Sequence, residues 1–289
     1  MIYLICDANS LWARAYYAAT KVKADPILAA SRILVSLLNP NGERIGRRID
    51  RMLLCWDGGS KSNKMRGPKP DDYISGIEKF SRVVESLFGG AQIRVESYEA
   101  DDVVATATYR LSLNDVDEAY VCSGDHDLQQ LQSGHVCYYC LNSGSILTRG
   151  YILNRWHVKK PNQICIALAI LGDRGDGITG IKGWGAAKVK AVFSTVTDQM
   201  DLEEVLKHVR GQIPPEKLED FDTSLSMTVL DPDVPNVPEP GPLRLEADSC
   251  VINDFGLDEL SHSYLALVDS YGHDDGSLDR AMVDVLQNF

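Results

Sequence analysis

The feature of the sequence that most restricts its fold is a series of short apolar runs, each followed by a helical pattern. These runs cover residues 2–6, 52–56, 92–95 and 119–122. The helical pattern after the first run places four apolar residues on one side: Leu11, Ala15, Ala18 and Ala19. Because apolar strands that alternate with helices form parallel sheets covered on both faces, the pattern predicts an α/β protein.

Acidic residues stand at or just beyond the ends of these predicted strands. In parallel sheets, ligands bind beyond the carboxyl ends of the strands. A single carboxylate at such a place is most often a helix cap or a turn residue, but a whole set at one edge cannot consist of caps. The candidate set has nine members: Asp7, Asp57, Glu99, Asp101, Asp102, Asp125, Asp127, Asp173 and Asp176.

Carboxylates that share one cleft repel one another unless cations neutralise them. An all-oxygen ligand set selects hard ions such as Mg²⁺ or Mn²⁺. Because Mg²⁺ takes only one or two carboxylates directly and keeps several waters, about half of the set is expected to act through water. Two hard ions about 4 Å apart suit the in-line attack of water on a phosphodiester. The carboxylates therefore predict a two-metal site for phosphodiester hydrolysis.

The distribution of charge changes what the net charge of -12 implies. An acidic total argues against nucleic acid as a partner, because polyanion binders carry basic patches. However, residues 1–190 hold 24 basic and 20 acidic side chains, whereas residues 191–289 hold 5 and 21. The segment 44–82 is the most basic, with ten Lys or Arg residues against five carboxylates. An acidic site inside a basic rim is what cleavage of DNA or RNA requires.

A glycine-rich segment provides the second signal. An apolar helix is predicted over residues 164–171, and a turn then leads to another helix. Glycines at 180, 183 and 185 would let backbone N–H groups approach phosphates, with Lys182, Lys188 and Lys190 beside them. The alternative is a helix hairpin whose glycines only allow tight packing. Because the same segment also contains Asp173 and Asp176, the interpretation that the hairpin binds a DNA backbone is favoured.

The remaining features exclude several classes of protein. Seven cysteines, an odd number at scattered spacings, predict reduced thiols, and Cys137 with Cys140 is interpreted as packing. No apolar run reaches the length of about 18 residues that a membrane helix needs, and the first residues do not have the pattern of a signal peptide. A cytoplasmic protein of a bacterial or phage-infected cell is therefore expected. The proline-rich stretch 232–242 predicts an extended connector, and residues 253–288 predict two helices, with Leu257, Leu260, Leu265 and Leu267, then Met282, Val285 and Leu286 as apolar positions.

The ordered motifs resemble the flap endonuclease and 5′-3′ exonuclease family. They are D-x-N from Asp7, WD at 56–57, EADD at 99–102, SGDHD at 123–127 and GDxxD-x-I-x-GI-x-G-x-G at 172–185. The chain is most similar to the stand-alone bacteriophage 5′-nucleases and the nuclease domain of bacterial DNA polymerase I, over about residues 1–230. The resemblance implies a PIN-like core over 1–160 and a helix-hairpin-helix (H3TH-type) DNA-binding region over 161–230. Residues 231–289 are expected to form a connector and C-terminal helices that pack back on the core.

The resemblance also implies an activity and its residues. The activity is Mg²⁺-dependent hydrolysis of DNA at 5′ flaps and 5′ ends, in replication or repair. The protein is expected to be a monomer, with a replication polymerase as a partner and no association with a membrane. Two Mg²⁺ ions are implied, with Mn²⁺ as a substitute and K⁺ at the hairpin. One metal cluster falls on Asp7, Asp57, Glu99 and Asp101, with Asp102 as an extra carboxylate, and the second on Asp125, Asp127, Asp173 and Asp176. Lys64 and Arg66 are implied in catalysis, and the implied DNA contacts are Lys61, Lys64, Arg66, Lys69, Gly180, Lys182, Gly183, Gly185, Lys188 and Lys190.

The sequence departs from the family pattern in the 58–70 loop, which is shorter than the insert that forms a helical arch in the family, so a 5′ single strand is expected to be less enclosed. Two alternative functions remain open: a PIN-type ribonuclease and a non-catalytic protein that binds branched DNA. His126, between two metal acids, is predicted to be a solvent-facing spacer. Trp184 is predicted to pack the hairpin, and Tyr16 or Tyr17 to stack a base, with at least one of the two in the core.

Overall fold

The structure is a computed structural model that describes residues 1–59, 69–112, 118–245, 252 and 256–272. The strands in these ranges are β1 Ile2–Asp7, β2 Arg51–Trp56, β3 Ala91–Arg94, β4 Glu118–Ser123, β5 Val136–Cys140, β6 Ser145–Leu147 and β7 Gly241–Pro242. The helices of the nuclease-like half are α1 Ala8–Val22, α2 Pro26–Leu38, α3 Asp71–Val83, α4 Ala100–Ser112 and α5 Arg149–Trp156. The later helices are α6 Ile164–Leu171, α7 Ala186–Phe193, α8 Leu202–Arg210, α9 Leu218–Thr228 and α10 Ser261–Tyr271.

One sheet organises the chain, with strand order β3-β2-β1-β4-β5-β6. β1 pairs in parallel with both β2 and β4, and β4 pairs in parallel with β5, whereas β6 runs antiparallel to β5. The chain therefore builds outward from β1 to one side and then continues from β4 to the other. The switch point between β1 and β4 opens a crevice at their carboxyl ends, where ligands bind in such folds. These findings confirm the predicted α/β fold with a mostly parallel sheet.

Both faces of the sheet are covered, which explains why the strands are apolar along their whole length. In β1, Tyr3 and Ile5 face a core shared with α4 and α6, while Leu4 and Cys6 face a core shared with α1, α2 and α3. On the second face, α1 and α3 approach closely at Gly76, where a Cβ atom would lie 2.4 Å from a ring carbon of Trp12. This approach brings α1 and α3 together as two walls of the crevice.

The predicted helix hairpin forms after α5. All but one of the residues of α6 are buried, and α9 packs along α6 to complete a helical layer with α7 and α8. Gly172 and Gly180 lie against each other in the connection between α6 and α7, since a Cβ on Gly180 would stand 2.4 Å from the Gly172 nitrogen. The glycines at these two positions therefore close the loop that leaves α6.

The structure differs from the sequence prediction in the proline-rich stretch and in α1. The proline-rich stretch contains a short strand, because Gly241 and Pro242 pair antiparallel with Met52 and Arg51 of β2. One helix, α10, follows, with Leu260 and Leu267 buried as predicted, whereas Met282, Val285 and Leu286 lie outside the described residues. In α1, Ala18 is exposed and Trp12 takes the buried position instead.

The cysteines of the described residues are free thiols, and all but Cys137 are buried. Cys137 and Cys140 lie in β5, in agreement with the packing interpretation. In the parts of the chain that the structure describes, no helix combines the length and the apolar character needed to cross a membrane.

Candidate metal and nucleic-acid site

A cleft of about 1090 Å³ opens at the carboxyl ends of β1, β2 and β4. Four of the predicted acidic residues line it: Asp7, Asp57, Asp101 and Asp125. Gly175, from the turn that follows α6, lines it too, so the helical region reaches the same cleft. We call Asp7, Asp57 and Asp101 the first acidic group.

Asp7 is the most buried carboxylate of the first acidic group, and its pKa is shifted. Its side chain is 4% exposed, accepts the Ser10 N–H at 2.9 Å and accepts the Ser123 hydroxyl at 2.7 Å. Burial raises the pKa of Asp7 to about 7, against the effect of these two hydrogen bonds, and the charges of Asp57 and Asp125 raise it further. A cation in the cleft would stabilise the ionised form of Asp7.

Asp57 is held by a residue that the sequence motif contains but to which no role was assigned. Asn9 Nδ2 donates to Asp57 Oδ2 at 2.5 Å, and the Asp57 N–H donates to Asn9 Oδ1 at 3.1 Å. The other carboxylate oxygen accepts the N–H of Ala100 at 2.9 Å, at the start of α4. Asp57, just after β2, thus joins the first turns of α1 and α4 at one point, and the D-x-N spacing was the signal that indicated Asn9.

Serine hydroxyls connect the ends of β1 and β4. Ser10 Oγ accepts the Gly124 N–H at 2.8 Å, and Ser123 Oγ, which donates to Asp7, accepts the Asp125 N–H at 3.0 Å. Beneath them, the Tyr138 hydroxyl contacts the carbonyl oxygens of Ser123 and Asp125 at 2.9 and 2.5 Å. The loop that carries Asp125 is therefore fixed by hydrogen bonds from three directions.

Asp125, Asp127 and Asp176 bring one carboxylate oxygen each within 4.8 Å of one another. We call them the second acidic group. Asp127 is 1% exposed, and its N–H donates to Asp125 Oδ1 at 3.0 Å. Three carboxylate oxygens at this spacing form a donor set that fits a hard divalent cation better than a soft one, since it contains no sulfur or nitrogen.

Asp173 shapes the turn that delivers Asp176. Its N–H and carbonyl oxygen pair with Ile178 at 2.9 and 2.7 Å, and its Oδ1 accepts the Gly175 N–H at 2.7 Å. The loop connecting α6 and α7 therefore carries one member of the second acidic group at its start and the glycines of the hairpin further on.

Two predicted ligands that flank Asp101 in sequence do not line the cleft. Glu99 lies immediately before α4 and is half-buried. Asp102 is also half-buried, and its Oδ1 accepts the N–H of Asp231 at 2.9 Å, in the segment after α9. Asp101 lines the cleft, so adjacent residues at the start of one helix have different partners.

His126 is not the solvent-facing spacer that was predicted. Its Nε2 lies 3.1 Å from an Arg155 nitrogen, and its ring packs edge-on against Trp156 with centroids 6.0 Å apart. Burial and then the charge of Arg155 lower the pKa of His126, which favours the neutral ring.

The walls of the cleft carry basic and aromatic side chains, of which sequence reasoning missed Arg14, Lys21 and Arg94. Arg14, Tyr17 and Lys21 lie on the exposed face of α1, spaced by three and four residues, and Arg94 lines the cleft at the end of β3. Lys69 also lines it, with its Nζ 5.7 Å from the Tyr17 ring centroid. Lys61, Lys64 and Arg66 lie outside the described residues.

Tyr16 and Tyr17 separate as expected. Tyr16 is 6% exposed, and its hydroxyl donates to Asp72 at 2.8 Å, whereas Tyr17 is 45% exposed and lines the cleft. Tyr17 therefore has the exposure that stacking with a base requires, and Tyr16 belongs to the core.

The hairpin presents some, but not all, of its predicted contacts to solvent. Lys182, Gly183, Gly185, Lys188 and Lys190 are exposed. Gly180 is buried, and its N–H donates to Ser224 Oγ at 3.1 Å, so this amide is engaged inside the protein and is not presented to a phosphate. Trp184 is half-buried, with Lys188 Nζ 4.6 Å from its ring centroid, which agrees with a packing role in the hairpin.

Residues 2–157 match the model of the family described as 5′-3′ exonuclease, N-terminal resolvase-like domain. The chain belongs to this family. The match covers β1 to β6, α1 to α5 and the residues that line the cleft apart from Gly175. It confirms the resemblance that was drawn from the ordered motifs.

Relatives with curated names include thermostable DNA polymerase I of Thermus caldophilus and a 5′-3′ exonuclease of Aquifex aeolicus. The first is 30% identical over 181 residues, which are 59% of this chain and 20% of that protein. The second is 24% identical over 243 residues, which are 78% of this chain and 80% of that protein. The chain therefore spans about a fifth of the length of the polymerase relative.

Among solved structures, the bacteriophage T5 flap endonuclease in a complex with DNA and metal ions superposes with a TM-score of 0.59 at 14% identity. The superposition covers 93% of this chain and 100% of the other. It extends beyond the family match into α6 to α9, and it confirms that the chain has the fold of this nuclease, including the helical region.

Proposed function

We propose that this protein is a structure-specific 5′-nuclease that hydrolyses DNA phosphodiesters at 5′ flaps and 5′ ends with divalent metal ions. The observation that carries the proposal is the convergence of the second acidic group, whose carboxylate oxygens lie within 4.8 Å of one another. Two members come from the loop after β4 and the third from the turn that leads into the hairpin. The same cleft holds the first acidic group, and the chain belongs to the 5′-3′ exonuclease family.

The proposal includes two hard cations, of which the second acidic group would hold one. Asp7, Asp57, Glu99 and Asp101, with Asp102 beside them, would hold one, and Asp125, Asp127, Asp173 and Asp176 would hold the other. Mg²⁺ is the physiological ion in this proposal, and Mn²⁺ substitutes for it because it accepts the same oxygen ligands. When bound, such ions supply Lewis-acid stabilisation of a phosphodiester that is attacked in line by water.

The residues of the chain orient these carboxylates. Asn9 fixes Asp57, and Ser123 fixes Asp7 while also holding the Asp125 N–H. The low exposure of Asp7 and Asp127 excludes bulk water from their surroundings. Electrostatic stabilisation in such a place is stronger than in open solvent.

The basic walls and the hairpin are proposed to hold the DNA. Arg14, Lys21 and Lys69 line the cleft, where they would contact a 5′ strand, and Tyr17 is exposed beside them. Lys61, Lys64 and Arg66 are proposed to act at the same strand. The duplex would lie on the exposed backbone at Gly183 and Gly185, next to Lys182, Lys188 and Lys190, with K⁺ at the hairpin carbonyls.

The proposal extends to the organisation of the chain. Residues 1–160 would form the nuclease core, 161–230 the duplex-binding region, and 231–289 the connector and C-terminal helices. The relationship with DNA polymerase I supports a replication polymerase as a partner, and a monomer suffices because one chain supplies both acidic groups.

Cleavage of a labelled 5′-flap duplex tests the proposal. We expect cleavage with Mg²⁺, none in chelator, and a loss of about 10²-fold or more for Asp125→Asn, since charge stabilisation of the transition state is a large catalytic effect. Asp198→Asn makes the same chemical change at an exposed position that does not line the cleft, and it is expected to retain cleavage. Absence of metal-dependent cleavage, or full activity of Asp125→Asn, would refute the proposal.

An RNA of the same branched shape tests the ribonuclease alternative. The hairpin is the element proposed to hold a DNA backbone, and a ribonuclease would have no need of it, so the DNA flap is expected to be cleaved faster. A protein that binds the DNA flap equally well with and without metal, and cleaves neither substrate, would instead be a binding protein with an inactive cleft.

A further inference from the structure

The segment that follows the last helix of the duplex-binding region is attached to the turn that carries Asp127. Gln130 Nε2 donates to the carbonyl oxygen of Asp127 at 2.8 Å and to that of Thr228, the last residue of α9, at 3.2 Å. The Thr228 hydroxyl, in a fully buried residue, donates to the Cys165 carbonyl of α6 at 2.9 Å. The end of α9 is therefore tied to the second acidic group.

Three residues later, the same segment is attached to α4. The Thr106 hydroxyl donates to the Asp231 carbonyl at 3.1 Å and accepts the Val234 N–H at 2.9 Å. Arg110 continues the contact by donating to the carbonyl oxygens of Val234 and Val237 at 3.1 and 2.7 Å. We call residues 228–237 the junction.

The contacts on α4 form a continuous stripe. Asp102, Thr106 and Arg110 are spaced by four residues and therefore share one face of the helix. Asp101, at the start of the same helix, lines the cleft. The junction thus holds α4 along about two turns, while the first residues of α4 carry part of the first acidic group.

Burial gives the Thr106 contact its importance. Thr106 is 0% exposed, so water cannot replace either of the bonds that its hydroxyl makes. A buried N–H or carbonyl that loses its partner retains the full cost of desolvation. Removal of the hydroxyl would leave both Asp231 and Val234 without these bonds and would loosen the junction from α4.

We propose that the junction sets the position of the first acidic group relative to the second, with Thr106 and Gln130 as positioning residues. The proposal rests on the proposed function, because it assigns to both groups a role in metal binding. Sites of this kind require their groups within about 0.5 Å of the productive geometry. Because the junction continues from α9, it also connects the duplex-binding helices to the spacing of the carboxylates.

Two threonines on α4 provide a matched experiment. Thr108 is 3% exposed, and its hydroxyl has no hydrogen-bond partner in the structure that is described. Thr106→Val and Thr108→Val therefore make the same chemical change on the same buried helix, but only the first removes junction bonds. Thr106→Ser restores the hydroxyl, and Gln130→Met removes the amide at the other end of the junction.

Calorimetric titration of the DNA-free proteins with Mn²⁺ measures their affinity for the ion. Thermal unfolding in the presence of a chelator shows that each variant is folded. We expect Thr106→Val and Gln130→Met to weaken Mn²⁺ binding about threefold to tenfold. This is somewhat less than the weakening expected when a side chain that hydrogen-bonds directly to a metal ligand is removed. Thr108→Val and Thr106→Ser are expected to bind as the wild type does. On a 5′-flap substrate, kcat at fixed Mg²⁺ should fall with little change in KM.

The possible results separate the two proposals. A wild-type protein that binds no Mn²⁺ would overturn the proposed function. If the wild type binds Mn²⁺, and the folded variants Thr106→Val and Gln130→Met bind it with the same affinity, the positioning role is overturned and the proposed function stays intact. If Thr106→Val does not fold, Gln130→Met alone decides, because Gln130 is half-buried and its loss is better tolerated.

Discussion

Asn9 and Asp57 hold each other through two hydrogen bonds, one from the Asn9 amide to the Asp57 carboxylate at 2.5 Å and one from the Asp57 N–H to the Asn9 amide oxygen at 3.1 Å. The pair joins the ends of β1 and β2 at the floor of the cleft. The amide side chain of Asn9 supplies both the donor and the acceptor that this arrangement needs. Asn9 is therefore the residue through which Asp57 keeps its orientation.

Replacement of Asn9 by Ala is expected to weaken Mn²⁺ binding by about tenfold, because partners that orient a metal ligand affect affinity to this extent. Calorimetry of the DNA-free protein measures the change. Asn154→Ala, at an exposed position of α5, is the control. Unchanged affinity in Asn9→Ala would show that Asp57 does not depend on this clamp.

The raised pKa of Asp7 predicts that the stability of the metal-free protein depends on pH. The folded protein keeps the Asp7 proton up to about pH 7, whereas the ordinary value for Asp is 3.8. The folded state thus binds more protons between these values, so the free energy of unfolding falls as pH rises through this range. The contribution is present in full below pH 4 and is lost by pH 7.

Asp7→Asn removes this dependence and gives the test. Relative to the wild type in chelator, the variant should gain about 2 to 3 kcal/mol in the free energy of unfolding between pH 5 and pH 8. Urea unfolding at the two pH values measures it. An equal difference between variant and wild type at both values would mean that Asp7 is already ionised at pH 5 in the folded protein.

Part of this site was predictable from sequence for a simple reason. Parallel strands place their carboxyl ends at one edge, so Asp7, Asp57 and Asp125 were expected to meet there, and the fold was predicted from the same pattern. Sequence reasoning could not separate Asp101 from Asp102. Adjacent residues on a helix point about 100° apart, and the partner of Asp102 lies at Asp231, which no local pattern connects to it.

The short strand in the proline-rich stretch was missed because its pairing depends on tertiary contact. A Cβ at Gly241 would lie 2.7 Å from the backbone of Gly90, so the strand exists only where two glycines let the chains approach. Composition indicates an extended segment in this stretch, but it carries no information about which strand will accept it.

Lys69 is expected to contribute electrostatically to DNA binding from the cleft wall. Lys69→Ala should weaken binding of a 5′-flap duplex and reduce the slope of log Kd against log salt by about 1, the value for one phosphate contact. Lys79→Ala, at an exposed position of α3 that does not line the cleft, is the matched control. Binding measured by fluorescence anisotropy at several salt concentrations, in Ca²⁺ or chelator to prevent cleavage, checks this. Equal slopes of log Kd against log salt for the two variants would show that Lys69 does not contact the DNA.

Two glycines of the hairpin should respond to Ala in opposite ways. Gly180 has a φ of +65°, and a Cβ there would lie 2.4 Å from the Gly172 nitrogen, so backbone must move. Gly185 has a φ of -138°, which any residue adopts, and a Cβ there meets no atom within 4 Å. Gly180→Ala is therefore expected to lower the free energy of unfolding by about 2 kcal/mol or more, since the left-handed conformation alone costs about 1 to 2 kcal/mol.

Gly185→Ala should leave the melting temperature unchanged but weaken duplex binding, because a methyl group on the exposed hairpin keeps a phosphate from the backbone N–H groups. Thermal melts and anisotropy on the two variants measure both quantities. The opposite result for Gly185, a loss of stability without a loss of affinity, would mean that this glycine serves packing. Normal affinity together with normal stability would place the duplex away from this end of the hairpin, so that the exposed lysines alone would hold it.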